Sequence, residues 1–219
     1  MTATFELAPG PATDVIDFGP ALSLRGTRIH FERNAEVFGE GEPAEYLYRV
    51  VSGAVRTMRF SSDGRRQILG FHLPGDVFGI ELGKVHSLTA EALAATEVVM
   101  VRRTLLERAA NDDPRVARRW LEHASNTIDK ARDHALLLGR KGAGERVAAF
   151  LLGISERLLR AQDFDLPMSR ADIADYLGLT IESVSRAFTE MERQCAIGLP
   201  SSRHVVMRNR STLTMAAAA

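Results

Sequence analysis

The chain has 219 residues, room for two modest domains, and its 45% hydrophobic and 26% charged content is that of an ordinary globular protein. No run of about 18 apolar residues occurs and the N-terminus carries no basic segment followed by an apolar core, so neither a membrane span nor a secretory signal is expected. The 28 basic and 28 acidic residues cancel, which argues against a blanket binder of nucleic acid and leaves a specific reader open, because the field that matters to such a reader is local.

Residues 1–20 are rich in Ala, Pro and Thr and are expected to form a flexible arm. Short β-runs follow at 35–38, 46–51, 54–60, 67–72 and 97–101. They are separated by turn signals at 39–43, 52–53, 61–64 and 74–76. Many short strands at about ten-residue spacing predict a β-barrel or jelly roll over residues 21–110.

The pattern changes at Asn111. Asp113 as N-cap with Pro114 in the first helical position starts a helix that runs to about Leu138, and Gly139 ends it. Within this segment, 111–139, the apolar residues Val116, Trp120, Ala124, Ile128, Ala131, Ala135 and Leu138 step by four or three. Such a narrow stripe suits pairing with the same helix of a second copy, and Val116, Trp120, Ala124, Ile128, Ala131 and Ala135 are the candidate dimerisation residues. The stripe suits packing on the chain's own barrel as well, and one face can do each.

Residues 139–144 contain three glycines and two basic residues and are expected to act as a hinge before a C-terminal domain at 140–212. Val147, Phe150, Leu151, Ile154 and Leu158 mark an amphipathic helix. Ser169 and Asp172 then have capping-box spacing at the head of a short helix, 169–176. Gly178 sits in the following turn, free to take positive φ, and Thr180 caps a second helix from Ile181 to Arg193. Val184, Phe188 and Met191 face inward, while Glu182, Ser185, Arg186 and Thr189 share the opposite face. Residues 197–199 and 204–207 read as a hairpin, in which Arg203 and His204, with Arg208 and Arg210 after it, form a basic patch or simply a solvated surface. Ala216 to Ala219 carry no structural signal and read either as a frayed tail or as residues foreign to the natural chain.

Two helices joined by a glycine turn, with a hairpin behind them, form the pattern of a winged helix-turn-helix. There the first turns of the second helix enter the major groove of double-stranded DNA. Arg186 can grip guanine O6 and N7 with two bonds, and Glu182 can accept from cytosine N4. Ser185 and Ile181 complete the candidate base-reading set. Ser169, Arg170, Thr180, Ser183 and Arg203 are candidates for phosphate contacts.

This order of parts resembles the superfamily of the cyclic-AMP receptor protein and the fumarate-nitrate regulator (CRP/FNR). The motifs that carry the resemblance are Glu42-Pro43-Ala44-Glu45-Tyr46-Leu47-Tyr48, Gly70 to Gly79, Gly144 to Leu152, and Glu182-Ser183-Val184-Ser185-Arg186. The last matches the Glu-x-x-Ser-Arg reading motif of the fumarate-nitrate branch, and the absence of a cysteine cluster makes the likeness greatest to its FixK-like regulators. The resemblance implies an α+β chain with an N-terminal β jelly-roll barrel, a long dimerisation helix and a C-terminal winged helix-turn-helix. It implies a cytoplasmic transcription activator, with no enzymatic activity, that binds a TTGA/TCAA palindrome as a homodimer before genes of microaerobic respiration or nitrogen fixation. RNA polymerase is a further implied partner, through a barrel hairpin whose tip is Asp63, Gly64 and Arg65.

The family's barrel often holds an effector. Cyclic-AMP binders carry Arg-Ser or Arg-Thr where this chain has His86-Ser87, and a neutral histidine does not replace a bidentate guanidinium. An iron–sulfur cluster of the usual kind needs four cysteines and only Cys195 exists. His30, His72 or His86 would have to serve a haem. The expectation is a regulator with no cofactor, the alternative being an effector-dependent one that uses a barrel ligand or haem. Cys195 is expected to be a small, half-buried residue unless an exposed thiol near DNA gives it a redox role.

Overall fold

A computed structural model of the chain describes residues 14–17, 23–81, 83–139 and 142–218. The strands of the first half are β1 (Val15–Asp17), β2 (Ser23–Arg25), β3 (Thr27–Phe31), β4 (Glu36–Phe38), β5 (Tyr46–Ser52), β6 (Val55–Phe60), β7 (Arg66–His72), β8 (Val77–Phe78), β9 (Thr89–Ala92) and β10 (Thr96–Arg102). Helices α1 (Arg103–Asp112), α2 (Pro114–Leu138) and α3 (Ala143–Arg157) follow. Strand β11 (Asp163–Asp165), helices α4 (Arg170–Leu177) and α5 (Ile181–Arg193), strands β12 (Ile197–Gly198) and β13 (His204–Met207) and helix α6 (Arg210–Ala218) complete the order. The chain divides into two units, 1–131 and 132–219. No helix among the described residues is long and apolar enough to cross a membrane.

The first unit is the expected antiparallel double sheet. One sheet has the order β3-β10-β5-β8 and the other β4-β9-β6-β7, so neighbours in space are mostly distant in sequence, as in a jelly roll. Alternation along β5 and β10 sends Tyr48, Val50 and Val98 inward beside Phe38, Val55, Phe78 and Ala90. A second cluster, Leu47, Val99, Val101 and Leu106, closes the barrel where α1 and the start of α2 cover it. Helix α1 was not anticipated from the sequence; its single fully buried side chain, Leu106, gives too little pattern in ten residues to separate it from the strand before it.

Expectations for the N-terminal arm, for α2 and for the C-terminal alanines need correction. The arm at 1–20 lies mostly outside the described residues, but Val15–Asp17 form β1, paired antiparallel with β2, and Ile16 is fully buried in the second cluster. Burying one isoleucine contributes about 1.5–3 kcal/mol, enough to hold a short strand down. Val116 and Trp120 do not lie on an open pairing face: Val116 is a member of that same core and Trp120 packs against it. The exposed apolar stripe of α2 is displaced by one residue at its start, with Leu121 71% and Ile128 53% exposed. Last, Ala216 to Ala218 are not a frayed tail but the final turn of α6, and Ala217 is buried.

In the C-terminal unit α3 begins at Ala143, so two residues of the expected hinge are helical, while Arg140 and Lys141 lie outside the described residues. Helices α3, α4 and α5 bury Val147, Leu151, Ile154, Ile173, Leu177, Val184 and Phe188. The wing has a third strand: β11 pairs with β13, which pairs with β12.

Gly53, in the β5–β6 turn, holds φ +79°, and a Cβ there would overlap Thr96 Oγ1 and the Ala95 carbonyl. Thr96 cannot yield, because its hydroxyl donates to Ala54 O at 3.1 Å and accepts from Ala54 N at 3.2 Å. Gly53→Ala is expected to lower unfolding stability by roughly 2 kcal/mol in urea denaturation, from positive φ and steric overlap together.

Candidate nucleic-acid interface

The helix-turn-helix is built from local hydrogen bonds that the sequence spells out. Ser169 Oγ accepts from Asp172 N at 3.1 Å and Asp172 Oδ2 accepts from Ser169 N at 2.9 Å, closing the capping box of α4. Gly178 ends α4 in the left-handed region with φ +61°. Thr180 Oγ1 accepts from Ser183 N at 3.2 Å and starts α5. Val184, Phe188 and Met191 are buried along one side of α5, which leaves the other side to solvent.

On that open side the structure brings Ile181, Glu182, Ser185, Arg186 and Thr189 together, all exposed. Their spacing of one, four, five and eight residues covers one narrow strip along the helix. Ile181 is 49% exposed in the first turn, an apolar surface held in water beside four polar groups. The Glu182 carboxyl lies below its ordinary value because its own backbone amide, the Thr180 hydroxyl and the nearby Arg186 charge all favour the anion. It is therefore an acceptor at neutral pH. Arg186 reaches Ser183 Oγ only at 3.5 Å, a contact at the limit of a hydrogen bond.

The five phosphate candidates differ in what they already do. Thr180 and Ser183 sit at the N-terminus of α5, where backbone amides and the helix dipole favour an anion. The Ser169 hydroxyl donates to Asp172 Oδ2 at 2.7 Å as well as accepting from Asp172 N. Arg170 lies over the Phe188 ring, its guanidinium carbon 3.3 Å from the centroid. Burial pushes its pKa down to about 10. Arg203, half-buried, donates to Pro167 O at 3.2 Å.

Sequence reasoning missed the groups that hold the turn. Arg146 of α3 donates to Leu177 O at 2.9 Å. His134, near the end of α2, donates from Nε2 to Tyr176 O at 2.7 Å, and its ring stacks on Tyr176. Neither has a sequence signal, because both act on backbone carbonyls that only the fold brings near.

Two members of the expected basic patch, His204 and Arg210, face carboxylates of the same unit. His204 sits between two carboxylates, Nε2 at 2.6 Å from Asp163 Oδ1 and Nδ1 at 2.9 Å from Asp165 Oδ1. Arg210 belongs to α6 rather than the hairpin and pairs with Ser155 Oγ at 3.0 Å and Glu156 Oε1 at 3.0 Å. Arg208 is exposed. Cys195 is exposed, not half-buried, with φ +54° just after α5.

In the barrel, His86 is buried and stacks on Phe38 with ring centroids 3.6 Å apart. Its Nδ1 has no hydrogen-bond partner, and burial lowers its pKa despite Glu81 and Glu42 nearby. Glu81 Oε1 accepts from both Ser87 N and Ser87 Oγ. His72 shares a 3.1 Å hydrogen bond with Thr57 Oγ1 and stacks on Phe78, while His30 is exposed beside Glu32. Among the described residues no group of three His, Cys, Asp or Glu side chains is placed to hold a metal ion. The hairpin tip at Asp63, Gly64 and Arg65 is exposed, with Arg65 Nε donating to Asp63 Oδ2 at 2.7 Å.

These two halves have counterparts among known proteins. Residues 28–113 match the cyclic nucleotide-binding domain family and residues 145–215 match the Crp-like helix-turn-helix domain family. The nitrogen fixation regulation protein FixK of Azorhizobium caulinodans is 45% identical over 215 residues, 95% of this chain and 86% of that protein. FixK of Rhizobium meliloti is 41% identical over 208 residues, 94% of each chain. The structure of FixK2 from Bradyrhizobium japonicum superposes with a TM-score of 0.87 at 51% identity, covering 90% of this chain and 99% of that one. The chain belongs to the CRP/FNR family of transcription regulators. Within that family it is a FixK-like, DNA-binding regulator, and the exposed strip of α5 lies on the reading helix of its helix-turn-helix.

Both ring nitrogens of His204 face a carboxylate, and only the imidazolium can donate to both, so the His204 pKa is raised above the ordinary value of 6.5, chiefly by the Asp165 bond. A raised folded-state pKa means that the contribution to wing stability is complete below about pH 6.5 and is lost as pH rises through the raised value. Amide exchange in β11 and β13 should therefore quicken across that window beyond its intrinsic pH dependence, and His204→Gln should abolish the extra change.

Proposed function

We propose that the chain acts as a homodimer on an inverted repeat of the TTGA/TCAA type and activates transcription from it, before genes of microaerobic respiration or of nitrogen fixation, the process named for its FixK relatives. The observation that carries the reading is the strip Ile181, Glu182, Ser185 and Arg186, exposed on the first two turns of a helix capped at Thr180. Arg186 holds the guanine through O6 and N7, and Glu182 accepts from cytosine N4 of the same or the adjacent pair. Ser185 lies against a neighbouring T·A pair. Ile181 contacts a thymine methyl, which explains an aliphatic side chain left 49% exposed.

The phosphate contacts divide. Thr180, Ser183 and Arg203 meet the backbone and set register. Ser169 and Arg170 are engaged by Asp172 and Phe188, and they serve the same end indirectly, Ser169 by capping α4 and Arg170 by holding α4 against α5.

The dimer forms along the apolar stripe of α2, Ala117, Leu121, Ala124, Ile128, Ala131 and Ala135, exposed except at the half-buried Ala124, whose alternating steps of four and three are those of a two-stranded coiled coil. Two copies then present their α5 helices about one DNA turn apart. RNA polymerase meets the exposed tip at Asp63, Gly64 and Arg65, and the chain works in the cytoplasm without a catalytic step.

The barrel's family implies a cyclic nucleotide, but the residues do not fit one. His86 stands where cyclic-nucleotide binders have an arginine, and its burial keeps it neutral against the Phe38 ring, so no cation meets a cyclic phosphate. The barrel therefore supports the reader without sensing a nucleotide for it.

Arg186→Ala should weaken binding to the TTGA palindrome by roughly 1–3 kcal/mol per half-site and relax selectivity at the guanine. A gel shift reads this, and unchanged affinity would remove Arg186 from the base-reading set. In the same assay, wild-type binding should be unaffected by added cyclic nucleotide or metal. Leu121→Glu, at an exposed site, should leave the fold intact and convert the dimer to monomer in analytical ultracentrifugation; a stable dimer would refute the stripe.

A further inference from the structure

A helix of eight residues ends in carbonyls that find no partner within it. In α4 the Ala174 carbonyl takes the amides of Gly178 and Leu179 from the turn. Leu177 O takes Arg146. Tyr176 O takes His134 Nε2 at 2.7 Å. His134 also lies flat on the side chain of the same residue, ring centroids 4.0 Å apart and planes 3° apart, and is only 8% exposed. The far environment of Tyr176 is α3, where Phe150 meets its ring at 5.8 Å.

Two contacts to one residue do more than one. A hydrogen bond in the imidazole plane resists sliding along that direction. A parallel stack resists tilting and displacement along the ring normal. Together they fix the last turns of α2 against α4, and α4 in turn packs on the reading helix α5, with Arg170 over Phe188. His134 is also adjacent in sequence to Ala135, the last residue of the proposed pairing stripe. The two neighbours thus have different duties: Ala135 is exposed, and His134 is buried against the reader.

We propose that His134 is a positioning residue for operator recognition. Its grip on Tyr176 ties the reading helix to the helix that pairs the two copies, and so selects the spacing between half-sites. The inference rests on the dimer and palindrome reading given above. Its physical basis is that inserting one base pair moves a half-site by about 3.4 Å along the duplex and turns it by roughly a tenth of a revolution. A rigid joint rejects that displacement, whereas a loose joint follows it.

The test titrates the full chain with three duplexes: the palindrome at its preferred spacing, the same palindrome with one base pair inserted, and a duplex with a single half-site. His134→Ala should keep half-site affinity within about twofold while discrimination between the two spacings falls about tenfold. His134→Gln, which can still donate to the Tyr176 carbonyl, should retain most of the discrimination. Wild-type discrimination in His134→Ala, or a parallel loss on all three duplexes, would overturn the proposal. If His134→Ala lowers helical content by circular dichroism, His134→Phe replaces it, keeping a stacked ring and removing only the donor. A partial loss of discrimination is then expected, and full retention in both His134→Phe and His134→Gln overturns the proposal. Wild-type chain that binds the palindrome no better than one half-site would instead refute the dimer reading, which separates the two failures.

Discussion

The reading domain depends on how the two ends of α4 are satisfied. This helix is too short to be stable by itself, and every group at its ends must find a partner from outside. Its N-terminus is closed locally by Ser169 and Asp172. Its C-terminus is closed at a distance, by a cation from α3 and an imidazole from α2, both donating to carbonyls. A donor at this end also complements the negative end of the helix dipole. The turn at Gly178 and the start of α5 at Thr180 follow from that closure, so the exposed strip on α5 is oriented by contacts made within the C-terminal unit itself.

Charge is used sparingly. The chain as a whole is neutral, and several cations of the C-terminal unit are already committed to other groups. Arg210 is held by Ser155 and Glu156, His204 by two aspartates, Arg203 by a backbone carbonyl, and Arg170 by an aromatic face. A domain with a broad free basic surface would bind any duplex and depend strongly on salt. With four of its cations engaged in this way, the domain does not present a uniformly free basic surface.

The barrel shows the same economy. Phe38, Tyr48, Phe78, His72 and His86 form an aromatic cluster in which rings pack on rings. A guanidinium at the position of His86 would need solvent or an anion. The imidazole, neutral and stacked, is compatible with a core in which hydrophobic burial provides the stability.

Local features were legible in the sequence because local chemistry determines them. The capping residues Ser169, Asp172 and Thr180, the glycine turn, the start of α2 at Pro114 and the exposed strip Ile181, Glu182, Ser185 and Arg186 follow from spacing and side-chain type alone. What only the tertiary structure decided are the duties of residues whose partners lie far along the chain. Val116 and Trp120 turn toward the barrel core because strands from 47 to 101 meet them there, and the exposed apolar stripe of α2 begins instead at Ala117 and Leu121. Ile16 anchors a segment that composition alone reads as loose. His204 of the wing is held by carboxylates about forty residues away, Asp163 and Asp165. His134 is one polar residue among many on α2 until the fold sets Tyr176 against it. Periodicity reports which face of an element is apolar; it carries no information about which distant surface that face will meet.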